Sequence, residues 1–117
     1  MTGESSSRRI IATADTEFLP YDLDGPLQPD IGWLPISFDR KKQEGSYLMR
    51  MEAGARTIAH EHPGFEEFII LDGELTDSDG HVFRKGDFIS FQPGSRHNSW
   101  TDAGCLIAVF EWQPKRA

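Results

Sequence analysis

The amino-acid sequence predicts an all-β protein, a small barrel or sandwich of antiparallel sheets. Short apolar runs recur along the chain and are separated by turns that contain glycine or proline, which is the pattern of strands joined by tight connections. No apolar stripe of helical period extends beyond about ten residues. The chain has 117 residues, of which 38% are hydrophobic, and this predicts one globular domain with a single modest core.

The N-terminal 30 residues are expected to lie outside the barrel. Residues 1–9 are polar and include three consecutive serines, so we predict a disordered tail there. Residues 10–30 contain three prolines and a turn glycine, which predicts an extended segment that wraps around the barrel. The barrel is predicted over residues 31–113, and residues 114–117 form a second tail.

The strands of the predicted barrel are apolar or alternating runs that end at turn residues. They cover residues 32–38, 46–52, 56–62, 66–71, 74–76, 82–83, 87–91, 95–100 and 105–112. Asp72–Gly73 predicts a turn or bulge, and Asp79–Gly80 predicts a hairpin.

Two of these strands, residues 66–71 and 105–110, are apolar on both faces. One face fills the barrel, so the other must be covered by the N-terminal segment or by a second subunit. The sequence does not distinguish the N-terminal segment from a second subunit as the covering element. A second subunit would make the protein a homodimer.

The net charge and the cysteine content exclude some classes of binding partner and bear on the cellular compartment. The net charge is −7, from 12 basic and 19 acidic residues, which argues against nucleic acid and against anionic membrane surfaces as partners. The single cysteine, Cys105, excludes an intrachain disulfide and lies in an apolar run typical of a buried strand. No apolar segment is long enough to span a bilayer or to form a signal-peptide core, so we expect a cytoplasmic location.

A metal site is predicted by three of the four histidines and one glutamate. His60 and His62 are separated by one residue, so on a strand their side chains share a face. Glu66 has the same parity if the chain stays extended, and His97 follows after a turn-rich interval. Two imidazoles and a carboxylate that project into one space favour a cation site.

Two other residues compete with this set. Glu67 is the alternative carboxylate, but face alternation and the distance to Gly73 favour Glu66. His81 lies in the predicted Asp79–Gly80 turn, where a solvated side chain is expected.

The ligand types predict one divalent transition metal, Fe, Mn, Ni or Zn, with Cu also compatible. A six-coordinate ion held by four protein ligands would leave about two positions open for water, oxygen or substrate. Tetrahedral zinc would be closed by the same four residues, as in structural sites. The ligand set therefore leaves an enzyme and a sensor or structural role equally accessible.

Glycines frame the proposed ligands in two spaced blocks. The first block places Gly54, His60, His62, Glu66 and Gly73 at intervals of five, one, three and six residues, and the second runs from Gly86 to His97. These blocks resemble the two motifs of the cupin superfamily, the RmlC-like proteins. The resemblance implies a double-stranded β-helix, a small jelly-roll barrel of two antiparallel sheets, and a metal held by His60, His62, Glu66 and His97. Cupins commonly dimerise.

The second block departs from the family pattern at two positions. Pro93 lies one residue late, and Thr101 stands where the family shows asparagine. Neither departure affects a ligand.

A narrower resemblance covers roughly residues 31–112. The sequence between His60 and Gly73 and the run from Gln92 to His97 resemble the cupin domain of ChrR-type anti-sigma factors and their single-domain relatives. In that family the cupin is attached to an N-terminal helical domain that binds a sigma factor. The 30 residues before the predicted barrel are too few and too polar to form such a domain.

The surroundings of the metal are expected to be apolar with few polar groups. The apolar candidates are Phe68, Phe88, Trp100 and Phe110, for which core packing is the competing role. Arg50 precedes the first block on a strand and, if it faces inward, would hold an acidic small-molecule ligand. A solvated salt bridge on the surface is the competing and favoured role. No catalytic residue is identified.

Two functions of different class follow from the sequence. One is a small metal-dependent dioxygenase that acts on a diketone, thiol or aromatic compound. The other is a metal-binding sensor or regulatory module that resembles the ChrR cupin domain and has no catalytic activity.

Overall fold

The computed structural model describes residues 2–4 and 7–114, and it confirms the predicted all-β fold. The strands are β1 (Thr2–Glu4), β2 (Arg9–Ile11), β3 (Leu19–Tyr21), β4 (Gln28–Pro35), β5 (Gly45–Met51), β6 (His60–Glu61), β7 (Phe65–Asp77), β8 (Val82–Arg84), β9 (Phe88–Phe91), β10 (Arg96–His97), β11 (Ser99–Trp100) and β12 (Cys105–Trp112). Within the described residues, the only helical element is one 3-10 turn at Thr13–Asp15. No helix in this part of the chain is long and apolar enough to cross a membrane.

The longest strand, β7, connects two antiparallel sheets. Its first half lies between β9 and β12, in a sheet that continues through β5 and β4 to β3 at the edge. Its second half pairs with β8 and β11. A separate short ladder joins β6 to β10. The two sheets and this ladder enclose the hydrophobic core.

A bulge in β7 changes which residues face the core. Before the bulge, the even-numbered positions Glu66, Phe68 and Ile70 are buried. Opposite β12 the register shifts by one residue, so that Ile70 pairs with Ile107 and Gly73 pairs with Cys105. After the bulge Asp77, an odd-numbered residue, is buried.

Gly73, at this bulge, has a conformation that only glycine adopts without strain. Its φ is +75°, and a Cβ atom would lie 2.1 Å from the carbonyl oxygen of Gly104. The predicted turn or bulge at Asp72–Gly73 is therefore a bulge within one continuous strand, and the two strands predicted at 66–71 and 74–76 are one.

Other strand boundaries differ from the predicted ones. The predicted strand 56–62 is a two-residue strand, β6, because most of that segment runs as a loop with isolated contacts to the 99–101 region. The predicted strand 95–100 is split into β10 and β11, which belong to different ladders. Thr101, which replaces the family's asparagine, is fully buried, and its hydroxyl donates to the Glu74 carbonyl at 2.7 Å.

The N-terminal region is more ordered than its composition predicts. Where the sequence predicts a disordered tail over residues 1–9, β1 pairs antiparallel with β2, because backbone hydrogen bonds between extended segments require no apolar side chains. Residues 1, 5 and 6 of that tail, and 115–117 of the predicted C-terminal tail, lie outside the described residues. The following segment is extended and contributes β3 to the edge of the large sheet, where it pairs with β4.

Candidate metal centre

The two short strands β6 and β10 place histidines opposite each other. His60 and His97 are directly paired in the antiparallel ladder, and the neighbouring pair is Glu61 and Arg96. His62 extends the ladder, because its amide donates to the Ser95 carbonyl at 2.9 Å. Alternation then turns His60 and His62 to the same side, while Glu61 between them is exposed.

The donor atoms of the four predicted ligands converge at one end of the barrel. The Nε2 atoms of His62 and His97 are 3.0 Å apart, and Glu66 Oε1 lies 3.3 Å from the first and 3.2 Å from the second. One ligand atom each of His60, His62 and Glu66 lies within 4.8 Å of the others. The structure therefore brings His60, His62 and Glu66 into one set, and His97 joins this set through its contacts with His62 and Glu66.

Hydrogen bonds behind the histidines orient their rings. His97 Nδ1 donates to Asp77 Oδ1 at 3.0 Å, and the Ser99 hydroxyl donates to the same oxygen at 3.2 Å. His60 Nδ1 donates to the Ile58 carbonyl at 2.7 Å. Because Nδ1 carries the proton in both rings, the lone pair of each Nε2 faces the cluster, which is the arrangement of metal-binding histidines.

The electrostatics of the cluster favour a positive charge at its centre. Burial lowers the pKa of His62 to about 4, against the opposing effect of Glu66, so this imidazole is neutral at physiological pH. For His97, burial acts to lower the pKa, but hydrogen bonds and charges from Glu66 and Asp77 outweigh it and raise the pKa. The carboxylates thus attract either a proton or a metal ion to the His97 side of the cluster.

The spacing of the donors fits a transition-metal ion. Two donors that are each about 2.1 Å from a common ion are about 3.0 Å apart at a right angle and about 3.4 Å apart at the tetrahedral angle. The three measured separations, 3.0, 3.2 and 3.3 Å, fall in this interval. A thiolate does not contribute, because Cys105 is in the barrel core and burial raises the pKa of its thiol to about 11.

The two competing residues lie away from the cluster. Glu67 is on the outer face of β7, where its carboxylate accepts a hydrogen bond from Trp112 Nε1 at 3.2 Å. His81 is exposed, and its amide donates to Asp79 Oδ1 within the turn.

Among the five residues predicted to surround the metal, only Phe68 borders the internal cavity beside the cluster. Phe88 is 58% exposed and Phe110 is 39% exposed, and their rings stack on the outer sheet face with centroids 6.4 Å apart. Phe110 pairs with Glu67 in the ladder, so the alternation that turns this glutamate outward turns the phenylalanine outward as well.

The remaining two predicted pocket residues also point elsewhere. Arg50 is exposed, and its guanidinium lies 4.2 Å from the centre of the Phe18 ring rather than in the barrel. Trp100 is covered by Arg56 at 4.8 Å. Neither Arg50 nor Trp100 borders the inner cavity or the outer groove at the cluster, so the structure favours the competing roles, an outward side chain for Arg50 and packing for Trp100.

The space at the cluster has an inner and an outer part. The inner cavity has a volume of about 30 Å³, enough for one or two water-sized groups. Its apolar walls are Met49, Met51, Phe68, Leu75, Ile107 and Val109. The outer part is a groove of about 360 Å³, and His60 and Asp24 border both spaces.

Sequence reasoning did not identify several polar residues of this region. Asp77 became an inward residue through the bulge in β7, which reverses the expected parity. Asp24 comes from the segment between β3 and β4, and its Oδ1 is 3.4 Å from His60 Nε2. Burial raises the pKa of Asp24, which makes its charged form costly without a neighbouring cation. Arg40 borders the outer groove, where it pairs with Asp22 at 3.2 Å.

A half-buried carboxylate, Glu111, lies on the other side of the groove. Its Oε2 accepts a hydrogen bond from the Tyr47 hydroxyl at 3.0 Å. Burial, together with the charge of Glu66, raises the pKa of Glu111 to about 7. Burial also raises the pKa of the Tyr47 phenol well above its usual value, so this group stays a neutral donor.

Comparisons with known proteins agree with this architecture. Residues 6–115 match the family described as ChrR Cupin-like domain. No protein of curated function matches the sequence.

Several solved structures share the fold at low sequence identity. An acetylacetone dioxygenase from Acinetobacter johnsonii superposes with a TM-score of 0.71 at 13% identity, over 93% of this chain and 77% of that one. An RmlC-like cupin from Shewanella frigidimarina NCIMB 400 gives 0.67 at 20% identity, over 98% and 95%. The complex of Rhodobacter sphaeroides SigE with the anti-sigma ChrR gives 0.59 at 19% identity, over 70% of this chain and 45% of that one.

Proposed function

The chain belongs to the ChrR cupin-like family, and from that premise we propose that it is a metal-dependent enzyme that uses molecular oxygen to oxidise a small molecule. Cupins usually bind a metal, and the cluster of His60, His62 and Glu66 supplies the donors. The reaction class is a dioxygenase acting on a diketone, thiol or small aromatic compound.

The proposed ligands of the metal are His60, His62, Glu66 and His97, and the ion is Fe, Mn, Ni or Zn. A bound ion of this kind would supply Lewis acidity and, for a redox-active metal, an electron path between substrate and oxygen. Asp77 and the Ile58 carbonyl hold two of the imidazoles in the required tautomer. The apolar walls of the inner cavity exclude water and so strengthen the electrostatic attraction between the site and a ligand.

The observation that carries the proposal is that the cluster is accessible from outside. The His60 side chain is 26% exposed and borders the outer groove, whereas the His62 side chain is only 3% exposed. A purely structural ion needs no route to solvent, but a catalytic ion must exchange ligands. The groove, with Phe38 and Leu23 on its walls and Arg40 at its rim, has the volume of a small-molecule site.

Charge supports a ligand that is anionic or forms an enolate. Three neutral imidazoles and Glu66 leave a divalent ion with a net charge of about +1, which favours an anionic donor at an open position. Arg40 is held by Asp22 at 3.2 Å and adds a positive group on the approach to the site.

The experiment that tests the proposal is oxygen uptake by protein loaded anaerobically with Fe(II). Uptake is expected only when both the metal and a member of a diketone, thiol and aromatic panel are present. His62→Ala should abolish it and should lose the metal, while His81→Ala is the matched control and should change neither. Tightly held zinc with no exchangeable ligand by X-ray absorption, and no uptake with any panel member, would overturn the enzyme proposal.

A sensor or regulatory module is the second candidate, and the family itself favours it, because ChrR is an anti-sigma factor. In that case the metal would stabilise the barrel, and oxidative damage to the ligands would free the metal and thereby release a bound partner. Peroxide treatment should then release the metal and lower the melting temperature in parallel. Metal that is retained after ligand oxidation would exclude this candidate.

We also propose a homodimer that buries the outer face of the large sheet. Phe88, Phe110, Leu71 and Trp112 are all between 39% and 58% exposed, which is a large apolar area for a free surface. Light scattering after size exclusion should give twice the chain mass, and Phe88→Lys should give a monomer. Glu67→Lys introduces the same charged side chain at a polar position of the same face, and it is the control for the effect of added charge.

A further inference from the structure

We propose that Asp24 is a fifth protein donor to the metal, one that gives way when a chelating ligand binds. The proposal rests on the metal-dependent function proposed above and concerns a residue outside both sequence blocks. Asp24 lies in the segment between β3 and β4, more than 30 residues before the first histidine ligand.

Asp24 adjoins the cluster on the side of His60, next to the set of His60, His62 and Glu66 whose ligand atoms lie within 4.8 Å of one another. Its Oδ1 is 3.4 Å from His60 Nε2, close to the 3.0–3.3 Å that separate the donor atoms of His62, Glu66 and His97. The Asp24 side chain is 12% exposed, comparable to the 11% of Glu66. It borders both the inner cavity and the outer groove, so it lies where an exogenous ligand would enter.

The hydrogen bonds of both partners leave His60 Nε2 and Asp24 Oδ1 facing each other. His60 uses its Nδ1 proton on the Ile58 carbonyl, which leaves Nε2 as the ring atom that faces Asp24. A carboxylate oxygen can only accept. A metal ion coordinated by both atoms would take the place of the proton that otherwise joins an imidazole and a carboxylate at 3.4 Å.

A tyrosine fixes which oxygen of Asp24 is available. The Tyr21 hydroxyl donates to Asp24 Oδ2 at 2.6 Å, which leaves Oδ1 directed at His60. Tyr21 is itself 2% exposed at the end of β3, so it is a rigid anchor. Carboxylates that bind metals are commonly oriented in this way, by a hydrogen bond to one oxygen while the other faces the metal.

The location of Asp24 also explains how it could leave the metal. The four other ligands lie on, or directly beside, strands that pair with neighbours, whereas Asp24 precedes a short connection in which Gly25 has a φ of +138° and Leu27 is 59% exposed. With Asp24 bound, two carboxylates balance the charge of a divalent ion, and five donors leave one position of six. An anionic chelating ligand would replace the carboxylate without changing the net charge of the site.

The test compares metal affinity and chelate binding in the same variants. Asp24→Asn and Asp24→Ala are expected to bind Co(II) roughly 10–100-fold more weakly in competition with a chromophoric chelator. The visible spectrum of the Co(II) protein should change in both. Asp15→Asn is the matched control, because this exposed aspartate of the N-terminal region borders neither the inner cavity nor the outer groove. Tyr21→Phe, which removes only the orienting hydroxyl, should have an intermediate effect.

Binding of a chelating ligand distinguishes the loss of a displaceable metal ligand from damage to the fold. Acetylacetone, used as the probe, should bind the Co(II)-loaded Asp24 variants more tightly than wild type, since no carboxylate has to be displaced. Damage to the fold would weaken both metal and probe. Unchanged metal affinity, or probe binding that weakens with metal binding, would refute the role of Asp24. A wild-type protein that binds no metal at all would instead refute the proposed function.

Discussion

Glu111→Gln is the substitution for which the structure gives a definite dependence of stability on pH. Glu111 is a half-buried residue of β12, and its only protein hydrogen-bond donor among the described residues is the Tyr47 hydroxyl. Burial, with the nearby charge of Glu66, raises its pKa from 4.5 to about 7, although the Tyr47 hydrogen bond opposes the change. The ionised carboxylate is therefore destabilising in the folded protein.

The sign and size of the effect follow from proton linkage. Between about pH 4.5 and 7 the folded state holds a proton that the unfolded state has lost, so the contribution of Glu111 to stability is present below this interval and is lost as pH rises through it. One pKa unit is worth about 1.4 kcal/mol, which makes the loss at pH 8 about 3 kcal/mol at most. Glutamine has no charge to bury and keeps an acceptor for Tyr47. The variant should thus match wild type near pH 4.5 and exceed it by up to about 3 kcal/mol at pH 8.

The assay is urea unfolding of both proteins from pH 4.5 to 8.5, repeated with and without added divalent metal. The metal is expected to reduce the difference, because it offsets the charge of Glu66, the second contributor to the raised pKa. Glu67→Gln removes a carboxylate from the outer face of the same sheet and provides the reference curve. Parallel stability curves for wild type and Glu111→Gln would show that Glu111 is solvated and that the reasoning is wrong.

Three further predictions concern the bulge in β7, the carboxylate that orients the His97 ring, and the N-terminal residues. Gly73→Ala should lower the free energy of unfolding by more than about 2 kcal/mol in urea titrations, because its Cβ would meet the Gly104 carbonyl oxygen at 2.1 Å; a smaller change would mean that β12 moves freely. Asp77→Asn should weaken metal binding roughly 10–100-fold in a chelator competition by releasing the His97 ring, and an unchanged affinity would assign Asp77 a purely structural role. Removal of residues 1–9 should change the free energy of unfolding by less than about 1 kcal/mol and the metal content by less than about 10%, because β1 pairs with β2 at the periphery. A large drop in melting temperature would show that this hairpin packs against the barrel.

The sequence predicted most of the strands because each one is encoded locally. Alternation and turn residues identified β12 at its observed bounds and β5 within one residue. The short ladder of β6 and β10 could not be bounded in this way, because its length depends on how far two distant segments stay in register. The histidines of the cluster were found because strand parity places His60 and His62 on one side wherever the strand lies.

Parity alone could not place the aromatic residues expected around the site, although it could have placed Arg50. Phe88 and Phe110 are hydrophobic and alternate like core residues, but whether an apolar face is inside the barrel or on its surface depends on which strands lie on either side of it. Arg50 has the parity opposite to Met49 and Met51, both of which are buried, and this would have indicated an outward side chain.

The sequence by itself determined the family, the all-β architecture and the convergence of three histidines and a glutamate, because these depend on residue types at short, fixed spacings. Tertiary structure decided what surrounds them. It brought Asp24 to within 3.4 Å of His60 from a distant segment, and the bulge in β7 turned Asp77 towards His97. It also placed Arg40, rather than Arg50, beside the groove. These contacts join residues that are far apart in the chain, and no local pattern records the register and loop paths that bring them together.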